Sequence, residues 1–425
     1  MIYFFYNIFV ILIGWLLIPF SWFNKKIMSF LSGRKETFHK LHTIKETDTV
    51  IWFHCASLGE FEQGRPIIEA LRIQNSDYKI VLTFFSPSGY EIRKDYKFAD
   101  VICYLPMDTK HNAKRFLDLI NPEIGIFVKY EFWPNILKEL QNRKIKTLLV
   151  SGIFRENQAF FKNGLASTFM KKSLQAFSHF FVQDENSKNL LQKIGFNNAT
   201  VSGDTRFDRV LAITKQNNHL SFIADFVQDK HILVAGSSWK KDEALLVNYI
   251  NNHATDSEKF IIAPHNIKNI EGLKNSISKK VILYSDKDTL NKDNIINAQV
   301  FIIDTIGILT KIYSYAHVAY IGGGFGVGIH NILEPATFEI PIIIGPNYQK
   351  FKEATDLVAL NGCFVIHNNE ALTAILNKFR EDEDFRKKSS QITKEYIVNS
   401  IGATNCILSY IKKNNSTLQT QNHTN

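Results

Sequence analysis

A turn after the apolar run Val50–Cys55 contains the first residues that could carry out chemistry. Gly59 permits a tight turn there, and a helix that begins at this point would offer unpaired N–H groups to an anion. Glu60 follows directly, and a carboxylate at the carboxyl end of a strand can act as a general base. Ser57 and Glu60 also fit the capping pattern S-x-x-E, which on the residues alone is at least as good an interpretation.

A glycine-rich segment in the second half of the chain has the composition of a phosphate-binding loop. Five glycines lie from Gly322 to Gly328, after an apolar run and before a predicted helix. Glycines let the backbone approach a phosphate closely, and Glu334 in the first turn of that helix could bind ribose hydroxyls. A flexible loop ahead of a capped helix is the weaker interpretation, because so many glycines carry an entropic cost. The segment therefore predicts a nucleotide site.

Two more polar segments follow apolar runs of the same half. Gly236–Trp239 comes after the run His231–Ala235, and Pro264 and His265 come after Phe260–Ala263. Because the carboxyl ends of parallel strands meet at one edge of a sheet, we expect these segments to converge on one crevice. Taken singly, each is an ordinary polar loop, and a lone histidine such as His265 is more often structural or solvent-exposed than a ligand.

The balance of charge favours anionic partners. Lys and Arg number 50 against 41 Asp and Glu, a net charge of +9 that suits phosphates or acidic lipid headgroups. The sequence has no basic run interleaved with stacking aromatics, so we expect no nucleic-acid partner. Its four cysteines lie far apart without a CxxC pair, which fits a reducing cytoplasm. Asp286 and Asp288 match the Asp-x-Asp pattern of metal-dependent transferases, but their charged setting indicates a solvated loop and we expect no metal site.

The alternation of apolar strands with helical patterns predicts two Rossmann-like α/β domains that face each other across a cleft. A polar stretch at 211–229 separates the two series, so we expect one domain at 45–210 and the second at 230–400. The amphipathic stretch 369–399 could return to the first domain, and residues 412–425 are expected to form a disordered tail. The predicted strands are Val50–Cys55, Lys79–Phe85, Asp100–Leu105, Ile124–Val128 and Thr147–Val150, then His231–Ala235, Phe260–Ala263, Val281–Tyr284, Val300–Ile303, Val318–Ile321, Ile342–Ile344 and Cys363–Ile366.

The first 24 residues have the features of a membrane anchor. They carry no charged side chain, and as a helix they would extend roughly 36 Å against a hydrocarbon core of about 30 Å. The segment lacks the basic start and the small-residue cleavage site of a signal peptide, so we expect it to be retained. Basic residues from Lys25 to Lys40 follow it, which places the body of the protein in the cytoplasm. A helix that lies in the membrane interface is the competing interpretation, since Asn7 and Pro19 interrupt the apolar sequence.

Five motifs, taken together, resemble the 3-deoxy-D-manno-octulosonic acid (Kdo) transferases of lipid A biosynthesis. The resemblance extends from the predicted anchor to about residue 360, with the motifs in register through both predicted domains. The motifs are S-x-G-E at 57–60, E-F-W-P-N at 131–135, G-D-T-R-F-D at 203–208, D-T-I-G at 304–307 and H-N-I-L-E-P at 330–335.

The resemblance implies a GT-B fold and an inverting transfer of Kdo, without a cofactor, from CMP-Kdo to a tetraacylated, phosphorylated glucosamine disaccharide, the lipid A precursor lipid IVA. It also implies attachment to the inner-membrane lipid on the cytoplasmic side. The family's catalytic base falls on Glu60, and its charge-stabilising positions fall on Glu131 and Arg206. Its contacts to CMP fall on Pro264, His265, Ile306, Gly307, Ile308, Asn331, Ile332, Leu333 and Glu334.

The sequence departs from the family pattern at three donor positions. Ile308 stands where many relatives carry Glu, Pro264 where Arg is common, and Ile329 in place of the second glycine of a G-G-H-N pattern. Two other classes of protein share the expected architecture. One is a nucleotide-sugar 2-epimerase, against which the predicted anchor argues, and the other is a noncatalytic membrane-bound nucleotide-sugar-binding protein, against which the combination of Glu60 with Glu131 and Arg206 argues.

Overall fold

Seven runs of the first half of the chain form one parallel sheet in the computed structural model, which describes residues 2–414. Its strands, numbered along the chain, are β1 (Val50–Cys55), β2 (Lys79–Phe84), β3 (Val101–Tyr104), β4 (Ile124–Val128), β5 (Lys146–Gly152), β6 (His179–Val182) and β7 (Ala199–Val201). They lie in the order β3-β2-β1-β4-β5-β6-β7. β1 is buried along its whole length and pairs with β2 and β4, so the segments that follow β1 and β4 meet at one edge of the sheet.

Helices precede and connect the strands of this first sheet. They are α1 (Ile2–Ser21), α2 (Lys25–Leu41), α3 (Leu58–Gln74), α4 (Pro87–Arg93), α5 (Lys110–Ile120), α6 (Pro134–Asn142), α7 (Leu165–Leu174), α8 (Glu185–Lys193) and α9 (Arg206–Thr214). α3 lies close to the sheet at Gly64, where a Cβ atom would come within 3.2 Å of Val128 and 3.3 Å of the Cys55 Sγ atom. This close approach fixes the start of α3 beside the ends of β1 and β4.

A second parallel sheet of seven strands follows. Its strands are β8 (His231–Ser238), β9 (Glu258–Pro264), β10 (Val281–Leu283), β11 (Val300–Ile302), β12 (Val318–Ile321), β13 (Ile342–Ile344) and β14 (Cys363–Val365). They lie in the order β10-β11-β9-β8-β12-β13-β14, with β8 between β9 and β12. The strand order reverses at β8, and the carboxyl ends of strands at such a point are where α/β sheets bind ligands.

The helices of the second unit are α10 (Ser221–Val227), α11 (Lys240–Asn252), α12 (Ile270–Ser276), α13 (Lys292–Ile296), α14 (Leu309–Ile312), α15 (Leu333–Thr337), α16 (Lys352–Leu360), α17 (Asn369–Glu381) and α18 (Glu383–Ser400). A final helix, α19 (Ala403–Asn414), belongs instead to the first unit, where Ile407, Leu408 and Ile411 join the core of the first sheet. The return to the first unit, which we expected from 369–399, is therefore made by α19, while α17 and α18 stay in the second unit.

The described chain divides into two compact units. One comprises the residues up to Asp208 together with those from Ile401 onward, and the other is Arg209–Ser400. The predicted fold class of two Rossmann-like α/β domains is confirmed, while their facing arrangement across a cleft stays a prediction. The predicted tail begins with Lys412–Asn414, which form the end of α19, and its remaining residues lie outside the described part of the chain.

The strand predictions differ from the structure mainly at one edge of the first sheet. All twelve predicted strands are present, and β1, β4, β12 and β13 have the predicted bounds. β6 and β7 were not predicted. β7 is a three-residue edge strand without a fully buried residue, whereas β6 is a short run of four residues of which three are buried. The polar stretch that we predicted to separate the domains contains α10, whose Ile223 and Phe226 are buried.

Candidate active site

Glu60 lies in the first turn of α3, directly after β1. Ser57 is the N-cap of this helix, but its side chain makes no capping hydrogen bond to the backbone. The Ser57 hydroxyl instead donates a hydrogen bond to the Glu60 carboxylate. The capping box that Ser57 and Glu60 could have formed is therefore absent. The half-buried Glu60 side chain is hydrogen-bonded to a hydroxyl group and does not cap the helix.

Glu131 follows β4 and is held by two aromatic side chains. The Trp133 Nε1–H group lies 3.0 Å from Glu131 Oε2 and 3.0 Å from His54 Nε2, so it is shared between the two acceptors. The His54 Nε2 atom itself lies 3.3 Å from Glu131 Oε2. His54 is the fully buried penultimate residue of β1, which ties the Glu131 carboxylate to an interior strand of the sheet.

The hydrogen-bond pattern around Thr83 defines the orientation of His54. The Thr83 hydroxyl lies 2.9 Å from Trp52 Nε1, 2.9 Å from His54 Nδ1 and 3.2 Å from the Phe53 carbonyl. When its single proton goes to the carbonyl, His54 Nδ1 donates to the hydroxyl oxygen. In a neutral His54 the Nε2 atom is then free to accept the shared Trp133 proton. Sequence reasoning missed His54, Thr83 and Trp133 as supports of Glu131, although Trp133 stands within the E-F-W-P-N motif.

Cys55, the last residue of β1, is near both predicted catalytic carboxylates. Burial raises the pKa of the Cys55 thiol well above its usual range, and the negative charges of Glu60 and Glu131 raise it further. Both carboxylates therefore act on the same buried sulfur atom at the end of β1. The structure thus brings Glu60 and Glu131 together, as expected for residues after neighbouring parallel strands.

Arg206 begins α9, after the edge strand β7, and is tied to the helix that carries Glu60. Its guanidinium group contacts the buried Asp204 carboxylate through Nη2 at 2.8 Å and Nε at 3.0 Å. Gln63, one turn beyond Glu60, donates to the same Asp204 oxygen at 2.9 Å, and the Thr205 hydroxyl donates to the Gln63 carbonyl. Asp204, Thr205 and Gln63 therefore position Arg206 relative to α3, a role that the sequence did not indicate.

In the second unit, His265 belongs to a stack of three aromatic rings. The rings of Trp239 and His265 lie 4.5 Å apart and nearly parallel, and those of His265 and His330 lie 4.6 Å apart. Trp239 Nε1 donates to His330 Nε2 at 2.9 Å. Burial, together with the nearby His265, lowers the pKa of His330, which favours the neutral ring that can accept this proton. The segments after β8, β9 and β12 thus converge, as predicted.

Asp242, in the first turn of α11, connects the stack to the glycine-rich segment. Its fully buried carboxylate accepts from the Trp239 backbone N–H at 2.8 Å, from the Gly323 N–H at 2.9 Å and from the Tyr320 hydroxyl at 2.8 Å. The carboxyl ends of two neighbouring strands, β8 and β12, are therefore held by one side chain. Sequence reasoning did not single out Asp242, because an acidic residue in the first helical turn is ordinary on the residues alone.

Close backbone contacts explain several of the glycines from Gly322 to Gly328. A Cβ atom on Gly322 would lie 2.3 Å from the Ser237 carbonyl, and one on Gly324 would lie 2.6 Å from the Gly345 backbone. Gly323 and Gly328 have φ angles of 93° and 133°, in the region that favours glycine. The predicted helix after the loop, α15, has five residues, so a helix dipole carries little of the anion binding that we expected there. The glycine-rich segment is a rigid, closely packed turn.

Glu334 joins the two remaining predicted donor segments. Its carboxylate accepts from the Asn331 side chain at 3.0 Å and from the Thr310 hydroxyl at 2.8 Å. Thr310 lies directly beyond Ile306–Ile308, so these residues are held beside 331–334. The Ile306 side chain is 87% exposed, and Gly307 has a φ angle of 102° that suits glycine. The structure therefore brings the predicted donor segments of the second unit together.

Not every predicted donor residue presents its side chain. Ile332 and Leu333 are fully buried, and the Leu333 N–H group already donates to the Asn331 side chain at 3.1 Å. Any contact from Ile332 to a ligand must therefore use its backbone. Pro264, in contrast, lines a pocket of about 230 Å³ together with Trp239.

The predicted absence of a metal concerns Asp286 and Asp288. Asp288 pairs with Lys287 at 2.6 Å and is largely exposed, which fits a solvated loop. Within residues 2–414 no group of three His, Cys, Asp or Glu side chains could hold a metal ion. Chemistry without a metal stays a prediction.

Comparisons with known proteins identify relatives for this arrangement. Residues 32–209 match the sequence model of a family described as 3-deoxy-D-manno-octulosonic-acid transferase (kdotransferase). A 3-deoxy-D-manno-octulosonic acid transferase of Aquifex aeolicus is 25% identical over 368 residues, which cover 85% of this chain and 95% of the relative. One of Rickettsia felis is 28% identical over 333 residues, covering 76% of this chain and 70% of the relative. A bifunctional glycosyltransferase/methyltransferase of Fusobacterium nucleatum is 24% identical over 407 residues, or 92% of this chain, which spans 62% of that relative's length.

Solved structures share the two-domain fold. A putative UDP-N-acetylglucosamine 2-epimerase of Listeria monocytogenes has a TM-score of 0.59 at 11% identity, covering 86% of this chain and 96% of that chain. The UDP-GlcNAc 2-epimerase of Neisseria meningitidis, bound to UDP-GlcNAc, has a TM-score of 0.58 at 15% identity, covering 87% and 100%. At this level of identity the likeness shows the GT-B-like fold alone.

Proposed function

The chain belongs to the Kdo transferase family, as its motifs predicted, and from that premise we propose that it transfers Kdo from CMP-Kdo to a tetraacylated lipid A precursor with inversion at the anomeric carbon. Family membership makes the protein a Kdo glycosyltransferase. The observation that carries the finer proposal is the pair of carboxylates, Glu60 and Glu131, around the buried Cys55 thiol, with Arg206 tied to the same helix through Gln63.

Inverting transfer requires a base on one side of the anomeric carbon and a stabilised leaving group on the other. We assign the base to Glu60, which removes the proton from the acceptor hydroxyl while that oxygen bonds to the anomeric carbon. The bond from the anomeric carbon to the phosphate of CMP breaks, and the phosphate keeps the electron pair. Glu60 suits this role because its side chain is not used as a helix cap and keeps a carboxylate oxygen beyond the Ser57 contact.

The charges of Arg206 and Glu131 would act on the transition state. Arg206 carries a positive charge that can stabilise the developing negative charge on CMP. Its contact with the buried Asp204 fixes the guanidinium group, so little reorganisation is needed during the reaction. Glu131, fixed by Trp133 and His54, places a second negative charge near the site where positive charge develops on the sugar.

The donor would bind in the second unit. Trp239, His265 and His330 offer an aromatic stack, and Asn331 and Glu334 offer polar groups for a ribose. The closely packed turn held by Asp242 keeps these groups in a fixed arrangement. No metal or cofactor takes part in this proposal.

The acceptor is a membrane lipid, and α1 would keep the enzyme at the bilayer that contains it. Among the described residues, α1 is the helix that is long and apolar enough to cross a membrane, judged by length and composition. The basic residues that follow it support a body on the cytoplasmic side of the inner membrane.

The test is incubation of the detergent-solubilised full chain with CMP-Kdo and the tetraacyl lipid A precursor, followed by mass spectrometry of the lipid. We expect the lipid to gain the mass of one or more Kdo residues and CMP to be released in equal number. Release of nucleotide without the lipid would favour an epimerase-like activity, and CMP-Kdo binding without turnover would favour a noncatalytic protein. Either result would contradict the proposal.

A further inference from the structure

The first two turns of α1 are hydrogen-bonded to the body of the first unit. The Tyr6 hydroxyl donates to Asp108 Oδ2 at 2.6 Å. Asp108 is 2% exposed, and its carboxylate also accepts from the backbone N–H groups of Asn135 and Ile136 at 3.0 and 2.9 Å. Burial raises the pKa of the Asp108 carboxyl group. The hydroxyl of Tyr6 is thus part of the capped start of α6.

Two more contacts complete this attachment. The Tyr3 hydroxyl donates to the Pro134 carbonyl at 2.6 Å, and the Asn135 side chain donates to Asn7 Oδ1 at 3.1 Å. The Tyr3 ring also packs edge-on against Phe169 of α7 at 5.3 Å. We call this set of contacts the N-terminal clasp, which joins Tyr3, Tyr6 and Asn7 to Pro134, Asn135 and Asp108.

The carboxyl end of α1 is attached to the same unit through α2. Arg34 of α2 donates from Nη2 to the Phe85 carbonyl at 2.8 Å, and the Thr37 hydroxyl donates to the Tyr104 carbonyl at 2.9 Å. Gly33 packs so closely on the Tyr104 ring that a Cβ atom would clash with it at 2.2 Å. Both ends of α1 are therefore connected to one compact body.

The rest of α1 is apolar and exposed. Val10 is the one residue of the helix that is buried. Aromatic and aliphatic side chains cover the outward surface, among them Phe5, Phe9, Leu12, Trp15, Leu16 and Phe20, each at least half exposed. Leu165, at the start of the adjacent α7, adds a further apolar side chain that is 76% exposed. An apolar patch of this size is unfavourable in water and marks a binding surface. Because it extends about 30 Å along a 20-residue helix, a lipid surface is the partner that fits it.

Positive charge lies at both ends of the helix. At the amino end, the Nζ atoms of Lys138 and Lys110 lie 4.6 and 6.0 Å from the centre of the Tyr3 ring. At the carboxyl end, Lys25 stands four residues beyond Ser21 and is exposed. Basic residues stay on the cytoplasmic side of a membrane and attract anionic headgroups. Lys110 and Lys138 belong to α5 and α6 of the body, so the amino end of α1 keeps its contact with them only if it stays on the side of the body.

From these observations we infer that α1 does not cross the membrane but lies in the plane of the interface, held against the body by the N-terminal clasp and embedded in lipid by its exposed apolar face. A crossing helix would place Tyr3 and Tyr6 on the side opposite to Asp108, because the helix is as long as the hydrocarbon core is thick. The clasp therefore excludes that arrangement while it is intact. An in-plane helix satisfies the clasp, the exposed apolar face and the charge at both ends together.

The inference has a consequence for the candidate active site. Pro134 and Asn135 of the clasp directly follow Trp133, the residue that donates to Glu131. The clasp residues Pro134 and Asn135 thus stand three and four residues beyond Glu131, a predicted catalytic carboxylate. An in-plane helix would present the site to headgroups of the same leaflet, where a lipid acceptor lies.

A topology experiment tests this inference, which rests on the proposed membrane attachment. The full chain carries Cys406→Ser, since the other cysteines, Cys55, Cys103 and Cys363, are buried. One version has a cysteine in a short polar extension before Ile2, and a second has Lys193→Cys on the exposed surface of the body. A membrane-impermeant maleimide is applied to inside-out vesicles and to right-side-out spheroplasts, and detergent-treated samples give the total labelling.

We expect both reporters to react in inside-out vesicles and neither in spheroplasts. Reaction of the amino-terminal reporter in spheroplasts alone would show a crossing helix and overturn the inference. Protection in both preparations until detergent is added would place the amino terminus in the hydrocarbon and would also overturn it. Failure of the protein to sediment with membranes would instead contradict the membrane attachment in the proposed function, so that the two failures are distinguishable.

A clasp variant tests whether these hydrogen bonds hold the helix. Tyr6→Phe combined with Asn7→Leu removes two of the contacts and makes α1 more apolar. We expect part of the amino-terminal labelling to move to spheroplasts, because the released helix can cross. Ser21→Ala is the matched control, since it removes a hydroxyl that donates within α1, to Ile18, outside the clasp. Unchanged labelling in the clasp variant would show that the clasp does not set the orientation.

Discussion

Replacing Glu60 by Gln separates catalysis from folding at the candidate site. The Gln side chain keeps an amide oxygen that can accept the Ser57 hydroxyl, but it cannot take up the proton of an acceptor hydroxyl. Because Ser57 makes no backbone capping bond, the substitution breaks no helix cap. The substitution therefore weakens one hydrogen bond and removes a favourable charge from the first turn of α3.

The two effects differ enough in size to be told apart. Loss of a general base should lower turnover by roughly 10²- to 10⁴-fold, or about 2.7 to 5.4 kcal/mol of activation free energy. Loss of the charge near the helix start changes the free energy of unfolding by about 0.3 to 1 kcal/mol. The affinity for CMP-Kdo should stay unchanged, since the predicted donor residues lie in the second unit. The effect on activation should thus exceed that on stability several-fold.

Turnover, CMP-Kdo affinity and thermal unfolding are to be measured on the same preparation of Glu60→Gln. Glu69→Gln is the matched control, because it makes the same change further along α3, where the half-buried Glu69 pairs with Arg65 at 2.6 Å and accepts from the Tyr96 hydroxyl at 3.1 Å, a bond that Gln can keep. That control should keep near-normal turnover and change stability by at most about 1 kcal/mol. Near-normal turnover in Glu60→Gln would refute the assignment of the base, and equal loss of turnover in both variants would show a general effect of charge.

Three further predictions concern other parts of the two units. Arg206→Ala should lower kcat more than it weakens CMP-Kdo binding, because a charge positioned for the transition state stabilises that state more than the bound substrate. A change in the KM for CMP-Kdo alone would contradict this prediction. Asp242→Asn should weaken the binding of CMP, measured by calorimetry, and lower the free energy of unfolding by about 1 to 3 kcal/mol. The reason is that the Gly323 amide and its neighbours donate more strongly to a charged acceptor than to a neutral one. Unchanged affinity for CMP would contradict this prediction. Burial and the nearby His317 lower the pKa of His231 to about 3. The stability that its neutral ring contributes is therefore complete above about pH 6.5 and is lost as the pH falls toward 3. His231→Gln should reduce the pH dependence of the free energy of unfolding in this range by up to about 1.4 kcal/mol per pH unit, and an unchanged dependence would contradict the prediction.

The sequence predicts the sheets well because buried parallel strands have unbroken apolar runs. β1 and β4 are buried along their whole lengths, and both have the predicted bounds. β7 has neither length nor burial to mark it, and it forms only because β6 offers an edge to pair with. The same rule accounts for the neighbourhood of Glu60 and Glu131, because strands that pair in parallel place their following residues at one edge.

Details of side-chain use could not be predicted from spacing. Ser57 and Glu60 have the separation of a capping box, but the hydroxyl donates to the carboxylate instead of accepting from the backbone. The glycines after β12 suggested phosphate binding, while Gly324 is required by Gly345, which lies 21 residues further along the chain. Such contacts depend on which loops meet in three dimensions. The supports of Arg206 were hidden for the same reason, because Gln63 and Asp204 are 141 residues apart.

The amino-terminal helix shows how a correct pattern can leave two structures open. Tyr3, Tyr6 and Asn7 occur at spacings of three and four residues, so they form one polar strip on an otherwise apolar helix. Spacing alone reveals the strip but not its partner, because Asp108 and Asn135 lie over a hundred residues away. Hydroxyl and amide groups left without partners in hydrocarbon would be unfavourable, whereas in the clasp each has a hydrogen-bond partner. The partner of the strip, rather than the apolarity of the helix, therefore determines whether α1 crosses the bilayer or lies along it.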